Sequence, residues 1–151
     1  MILDVSVAQT TGITVEPNKI HMGMKNFTSN KIAILGLSYK SNVPDIKNSM
    51  GIKLLSLLQR DSVYKYDIFA HDPLVDKDIL KNNYDIEIYD LNKINNLGAL
   101  ILMQGDSFYM DYGIDKLINK IEKNGYFYDI SGLFFEQKNK VIAAGINYWS
   151  F

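Results

Sequence analysis

Two rhythms of apolar and polar residues run along this chain, and they alternate from Lys31 onward. Lys31–Leu37 (KIAILGL) is almost continuously apolar, the pattern of a parallel strand buried on both faces. Ile46, Met50, Leu54, Leu57 and Leu58 then recur at helical spacing, predicting a helix that ends near Arg60. Asp45 is its expected N-cap, with Pro44 fixing the approach, although Asn48 stands where a capping box wants Glu or Gln. Tyr66–Ala70 reads as the next strand, closed by His71-Asp72-Pro73. A short helix at Lys77–Asn83, a weak strand at Ile86–Tyr89 and a helical turn at Asp90–Asn95 follow. Gly98 precedes a strong strand, Ala99–Met103. A helix at Asp115–Lys123 is stopped by Asn124-Gly125, and Tyr126–Ile130 and Ile146–Trp149 are the final strands.

Strands separated by helices and short loops imply βαβ units and a mostly parallel sheet. Right-handed crossovers make that an α/β, Rossmann-like three-layer sandwich. Numbering the predicted strands in chain order, the expected sheet order is 3-2-1-4-5, with a sixth strand near Ile146–Trp149. Ile32, Ile34, Leu100 and Leu102 should be buried at its centre. Residues 1–30 follow neither rhythm and read as an extension or linker, with one short strand at Gly12–Val15; residues 31–151 form the expected domain.

Composition narrows the chemistry. A formal net charge of −1 argues against nucleic-acid binding, which asks for a basic face. The chain has no cysteine, so disulfides, thiolate metal sites and a cysteine nucleophile are excluded. His21 and His71 are too far apart in sequence for a local metal motif, and no metal site is expected. No apolar run approaches a membrane span, and the N-terminus lacks a basic-then-apolar signal pattern, so the expectation is a cytoplasmic protein without a membrane partner. Arg60 is the only arginine, so an anion site here has to use lysine and backbone amides in place of a guanidinium fork.

The segment IAILGLSYKSNVPDIKNS holds the candidate chemistry. A strand ends in a glycine turn, an aromatic–lysine pair follows, and Pro-Asp leads into a helix. Such a strand–loop–helix unit places backbone N–H groups and a cation around a phosphate. No GK[ST] follows, and Gly36 lacks the partner glycines of a G-x-G-x-x-G fingerprint, so neither a Walker loop nor the usual dinucleotide turn is present. Lys40, four residues past the strand-end glycine, can reach the mouth of the sheet. The competing readings are an exposed loop lysine for Lys40 and a packing aromatic for Tyr39.

KIAILGLSYKSNVPDIKNS, DIFAHDPLV, ALILM, YDISGLF and INYWSF occur in the order and spacing of one known domain. The chain resembles, from about Lys31 to Phe151, the C-terminal UDP-sugar-binding domain of the UDP-glucose/GDP-mannose dehydrogenase family. Its first block is usually a strand, GL-[aromatic]-K, a short loop and D-x-R-x-S, and its second is Y-D-P. The resemblance implies that Tyr39 and Lys40 lie against the nucleotide and its pyrophosphate. It implies that Asp45, Lys47 and Ser49 match D-x-R-x-S, with lysine for arginine. Asp129-Ile130-Ser131-Gly132 matches D-x-R-G, with Ser131 in the arginine position, and His71 replaces the tyrosine of Y-D-P. The substrate-binding candidates are therefore Tyr39, Lys40, Asp45, Lys47 and Ser131. Residue by residue the plainer roles compete: a cap for Asp45, a first-turn bond for Ser49, a strand-end turn for Asp72, and core or strand positions for Trp149, Tyr126, Tyr128 and Tyr148.

Members of that family use NAD to oxidise a nucleotide sugar at C6, with a fingerprint-bearing NAD domain and a cysteine nucleophile, and this sequence shows neither. The expectation is a UDP-sugar-binding domain with no catalytic residue and no cofactor of its own, NAD being implied only for the full family enzyme. Three readings stay open: one part of a split dehydrogenase partnered by a separate NAD-binding, catalytic chain; a stand-alone nucleotide-sugar binding module; or a non-functional remnant.

Overall fold

The structure, a computed structural model, describes Val7–Ala8, Thr14–Val15, residues 29–60 and residues 65–150. Val7–Ala8 (β1) and Thr14–Val15 (β2) pair antiparallel in a small ribbon, which meets part of the strand expected at Gly12–Val15. The rest of the expected extension, including His21, lies outside the described residues.

The main sheet has five parallel strands: Lys31–Leu35 (β3), Asp67–His71 (β4), Leu97–Leu102 (β5), Ile121–Asp129 (β6) and Asn147–Ser150 (β7), in the order β4-β3-β5-β6-β7. The continuously apolar runs take the middle. Ile32, Ile34, Leu100 and Leu102 are fully buried, as their two-sided apolar surroundings require. The expected third strand is reduced to one parallel bridge, Ala70 to Ile88, outside β4. Its position matches the predicted order, but the segment is too short to form a ladder.

Each face of the sheet has its own core. Ile32, Ile34, Ala99 and Ile101 pack against Met50–Arg60 (α1) and, through Leu80, against Lys77–Tyr84 (α2). Ala33, Leu35, Leu100 and Leu102 pack against Ser107–Tyr112 (α3), Ile114–Ile118 (α4) and, through Val141, Lys138–Ala143 (α5). The three-layer sandwich is therefore as expected, its sheet wholly parallel.

Several local expectations are corrected. α1 begins at Met50, not after Asp45, because Asn48 takes a left-handed φ of 60° that a helix cannot pass through. Its buried face uses Leu55 where Leu57 was expected; Leu57 is only half-buried. The helix expected to reach Lys123 ends at Ile118, and β6 starts at Ile121. The cause is Lys120, whose buried ammonium donates to the carbonyls of Leu91 (2.6 Å) and Ile94 (3.0 Å), pinning the chain where another helical turn would lift it away. The short helices α3 and α5 were not foreseen. Trp149 flanks the core on edge strand β7 and is half-buried there, not enclosed.

Candidate functional site

All five strands are parallel, so their carboxyl ends line one rim of the sheet, and the candidate residues belong to the loops along it. The chain leaves β3 for α1 and β4 on one side, while β5 lies on the other. The crevice above β3 and β5 is thus a topological switch point.

Gly36 opens the loop after β3 with φ +83°, and a Cβ there would lie 2.8 Å from the backbone N of Gln104. Both the left-handed turn and the close passage of the next loop demand glycine. Tyr39 is half-buried: its N–H donates to the Asp45 carbonyl (2.6 Å), and its carbonyl accepts from Gln104 Nε2 (3.1 Å). Lys40 is exposed, and its ammonium has no acidic partner among the described residues. Asn42, at φ 63°, clasps this loop to the one after β5. Its N–H donates to Asp106 Oδ1, and its Oδ1 accepts from the Ser107 N–H (2.8 Å) and hydroxyl (3.1 Å). Asp106 Oδ2 is buried without a hydrogen-bond partner. Burial raises the Asp106 pKa above the usual carboxylate value; the Asn42 N–H opposes this and Asp72 adds to it.

The backbone amides expected to receive phosphate are already engaged. Leu37 N–H (2.7 Å) and Ser38 N–H (3.1 Å) both donate to Asp72 Oδ2. Asp72 Oδ1 accepts from Leu74 (2.8 Å) and Val75 (3.1 Å), which is the expected strand-end turn. One buried carboxylate thus occupies the anion-binding position of the first βα turn and ties two loops together. Neighbouring His71 is buried, with Nδ1 2.9 Å from the Tyr109 hydroxyl. Burial lowers its pKa, Asp72 and Asp90 partly offsetting the effect and Lys77 and Lys120 reinforcing it.

Asp45 is exposed, and its Oδ1 accepts the Lys47 N–H (2.9 Å). It closes a turn and does not cap α1. The capping falls to Ser49, whose hydroxyl accepts the Ile52 N–H (3.2 Å) and donates to the Leu37 carbonyl. Lys47 is exposed, and its backbone N–H is the one that Asp45 holds. Ser131 lies beyond β6. Its hydroxyl donates to Asp129 Oδ1 (2.8 Å) and accepts the Leu133 N–H (3.1 Å). Fully buried Asp129 also accepts the Phe134 N–H (2.8 Å) and the Tyr148 hydroxyl (2.6 Å). Ser131 Oγ therefore faces its own turn.

Tyr39, Lys40, Asp45 and Lys47 are thus gathered in one loop, with Ser131 further along the same rim. The segment Gln104-Gly105-Asp106 joins the two, since Gly36 abuts Gln104 and a Cβ on Gly105 would sit 3.5 Å from Ser131 Cβ. Sequence reasoning missed Asn42, Gln104 and Asp106. The usable signal was an asparagine in a helix-preceding loop, a residue type that tolerates left-handed backbone. Among the described residues no three His, Asp or Glu side chains converge as a metal site, and no helix is long and apolar enough to cross a membrane.

Residues 33–136 match the model of the UDP binding domain of the UDP-glucose/GDP-mannose dehydrogenase family. Curated relatives include Protein CapL of Staphylococcus aureus, 24% identical over 68% of this chain and 23% of its own length. Another is the UDP-N-acetyl-D-glucosamine 6-dehydrogenase of Salmonella typhi, 29% identical over 70% of this chain and 24% of its own length. Among solved structures, the UDP-N-acetyl-mannosamine dehydrogenase of Staphylococcus aureus superposes with a TM-score of 0.59 at 16% identity, over 88% of this chain and 29% of that one. The chain thus spans about a quarter of the length of the relatives it matches.

Proposed function

The chain belongs to the UDP-glucose/GDP-mannose dehydrogenase family, and from that premise we propose that it holds a UDP-sugar at the rim above β3 and β5, with Lys40 on the pyrophosphate. The observation that carries this is an exposed lysine without an acidic partner among the described residues, held in a loop clasped at both sides of the switch point. Because Asp72 occupies the Leu37 and Ser38 amides, charge neutralisation rests on Lys40, with Lys47 in the same loop. A charge-assisted contact of this kind contributes roughly 1.5–3 kcal/mol. Tyr39 supplies loop geometry through its backbone, and Asp45 orders the turn that carries Lys47.

In this reading the chain does not itself oxidise the sugar. No cysteine is present to hold an aldehyde as a covalent adduct, and the first βα turn offers a carboxylate where a dinucleotide needs free amides. NAD chemistry belongs to a separate cysteine-bearing domain or chain in the cytoplasm. Calorimetric titration with UDP and UDP-N-acetylglucosamine tests the site: Lys40→Ala should weaken binding by about tenfold or more. Equal dissociation constants for wild type and variant would remove Lys40 from the site. NADH production by the isolated chain would overturn the division of labour.

The remnant reading has one observation in its favour. Ser131, in the position of a substrate-holding arginine, spends its hydroxyl on Asp129 and Leu133. Absence of UDP binding at millimolar concentration would select it.

A further inference from the structure

A second cleft opens at the carboxyl end of β4, on the sheet face opposite α1, with a volume of about 430 Å³. That lies within the roughly 300–1,000 Å³ of small-molecule sites. One wall is a row of rings. Phe108 sits 5.5 Å from His71 with a 35° tilt and 6.1 Å from Tyr112 with a 25° tilt. Tyr89 lines the cleft as well. Phe108 is 40% exposed and Tyr89 38%. Two large aromatics left open on one concave surface form a stacking platform for a flat ring.

The electrostatics are equally uneven. Lys120 is 5% exposed, and its ammonium is met only by two carbonyls and the Tyr112 face (5.6 Å to the ring centre), with no carboxylate partner among the described residues. Buried ammonium groups are ordinarily paired with an acid, so this one leaves net positive potential behind the ring wall. Lys77, also lining the cleft, adds a second cation at its mouth. Of the two carboxylates present, Asp72 is saturated by backbone N–H groups, while Asp90 accepts only the Asn92 N–H and keeps one oxygen for a further donor.

We propose that this cleft binds a nucleoside monophosphate. The base lies against the Phe108–Tyr112 wall, the phosphate meets Lys77 under the field of Lys120, and a ribose hydroxyl donates to Asp90. The site is separate from the Lys40 loop and does not depend on the reading given to that loop. The test is titration of the full chain with AMP and UMP, followed by saturation-transfer NMR on the base protons and by calorimetry. Saturable binding is expected, weakened about fivefold or more by Phe108→Ala, the usual loss for one stacked base. Lys77→Gln should weaken the monophosphates but not the free nucleosides, and Lys40→Ala should leave AMP affinity unchanged. All three altered positions are solvent-exposed, and far-UV circular dichroism verifies that the variants fold. The proposal is overturned if the wild type shows no saturation at millimolar AMP or UMP. It is equally overturned if Phe108→Ala and Lys77→Gln bind as wild type does, or if Lys40→Ala abolishes the AMP signal.

Discussion

Two buried aspartates at strand ends, Asp72 after β4 and Asp129 closing β6, solve similar problems with different partners. Asp72 gathers four backbone N–H groups from two separate loops. Asp129 gathers one backbone N–H and two hydroxyls, from Ser131 and Tyr148. Backbone donors are fixed by the fold, whereas hydroxyls rotate. The four amides that meet Asp72 are therefore spoken for, and the β6 side keeps adjustable groups that a ligand could recruit. That difference explains why the phosphate contact is assigned to a lysine side chain and not to the amides after Gly36.

The sharpest way to break the comparison is Asp72→Ala. Four amides would lose a charged acceptor at once, so urea unfolding should show a loss of about 3–5 kcal/mol, or no folded protein at all. Asp129→Ala should cost less, about 2–4 kcal/mol by the same measurement, because its hydroxyl partners can turn to other acceptors. If the two losses came out equal, the distinction between fixed and rotating donors would carry no energy. Tyr148→Phe removes one donor to Asp129 and should cost about 1 kcal/mol, with Ser131 and Phe134 still in place.

The smallest effect concerns pH. The folded pKa of His71 lies below its ordinary 6.5, chiefly through burial. Between that folded value and 6.5 the unfolded chain binds more protons, so stability falls as pH drops below about 6.5. Asp106 has the opposite slope: its folded pKa is raised above 3.8, so the folded chain gains stability as pH falls through that raised value toward 3.8. Urea midpoints measured across mildly acidic pH should show the decline in wild type and a flatter profile in His71→Asn. An unchanged profile would mean that the His71 ring is not held neutral by its surroundings.

These contrasts also mark what could be seen in the sequence. β3 and β5 were legible because a strand buried on both faces must be apolar throughout: the expected Lys31–Leu37 and Ala99–Met103 overlap the observed Lys31–Leu35 and Leu97–Leu102, with β5 starting two residues early. The start of α1 was misjudged because Asp45 has cap chemistry, yet the left-handed backbone at Asn48 isolates it from the helix, and a serine does the capping. Ile114, Leu117, Ile118 and Ile121 keep helical spacing past the true end of α4, since the register of Lys120 with Leu91 and Ile94 is a tertiary demand. The placement of Lys40 in a rim loop could be read from Gly36 and the motif around it. That Asp72, 35 residues after Leu37, would fill that loop's amides could not, because nothing local couples the two.

The sheet order has a further consequence for how the chain reaches this structure. No two neighbouring strands of the main sheet are joined by a hairpin; every pairing is parallel and needs a crossover, and the connection from β3 to its neighbour β5 contains α1, β4 and α2. Loop-closure entropy must then be overcome before any long-range contact forms, which places refolding in the slower range of small domains, roughly milliseconds to seconds. Residues up to Leu102 contain the β4-β3-β5 unit complete, while β6 and β7 add to one edge. During synthesis from the ribosome, the half carrying the Lys40 loop can therefore collapse first, and the Asp129 turn docks onto a rim already built.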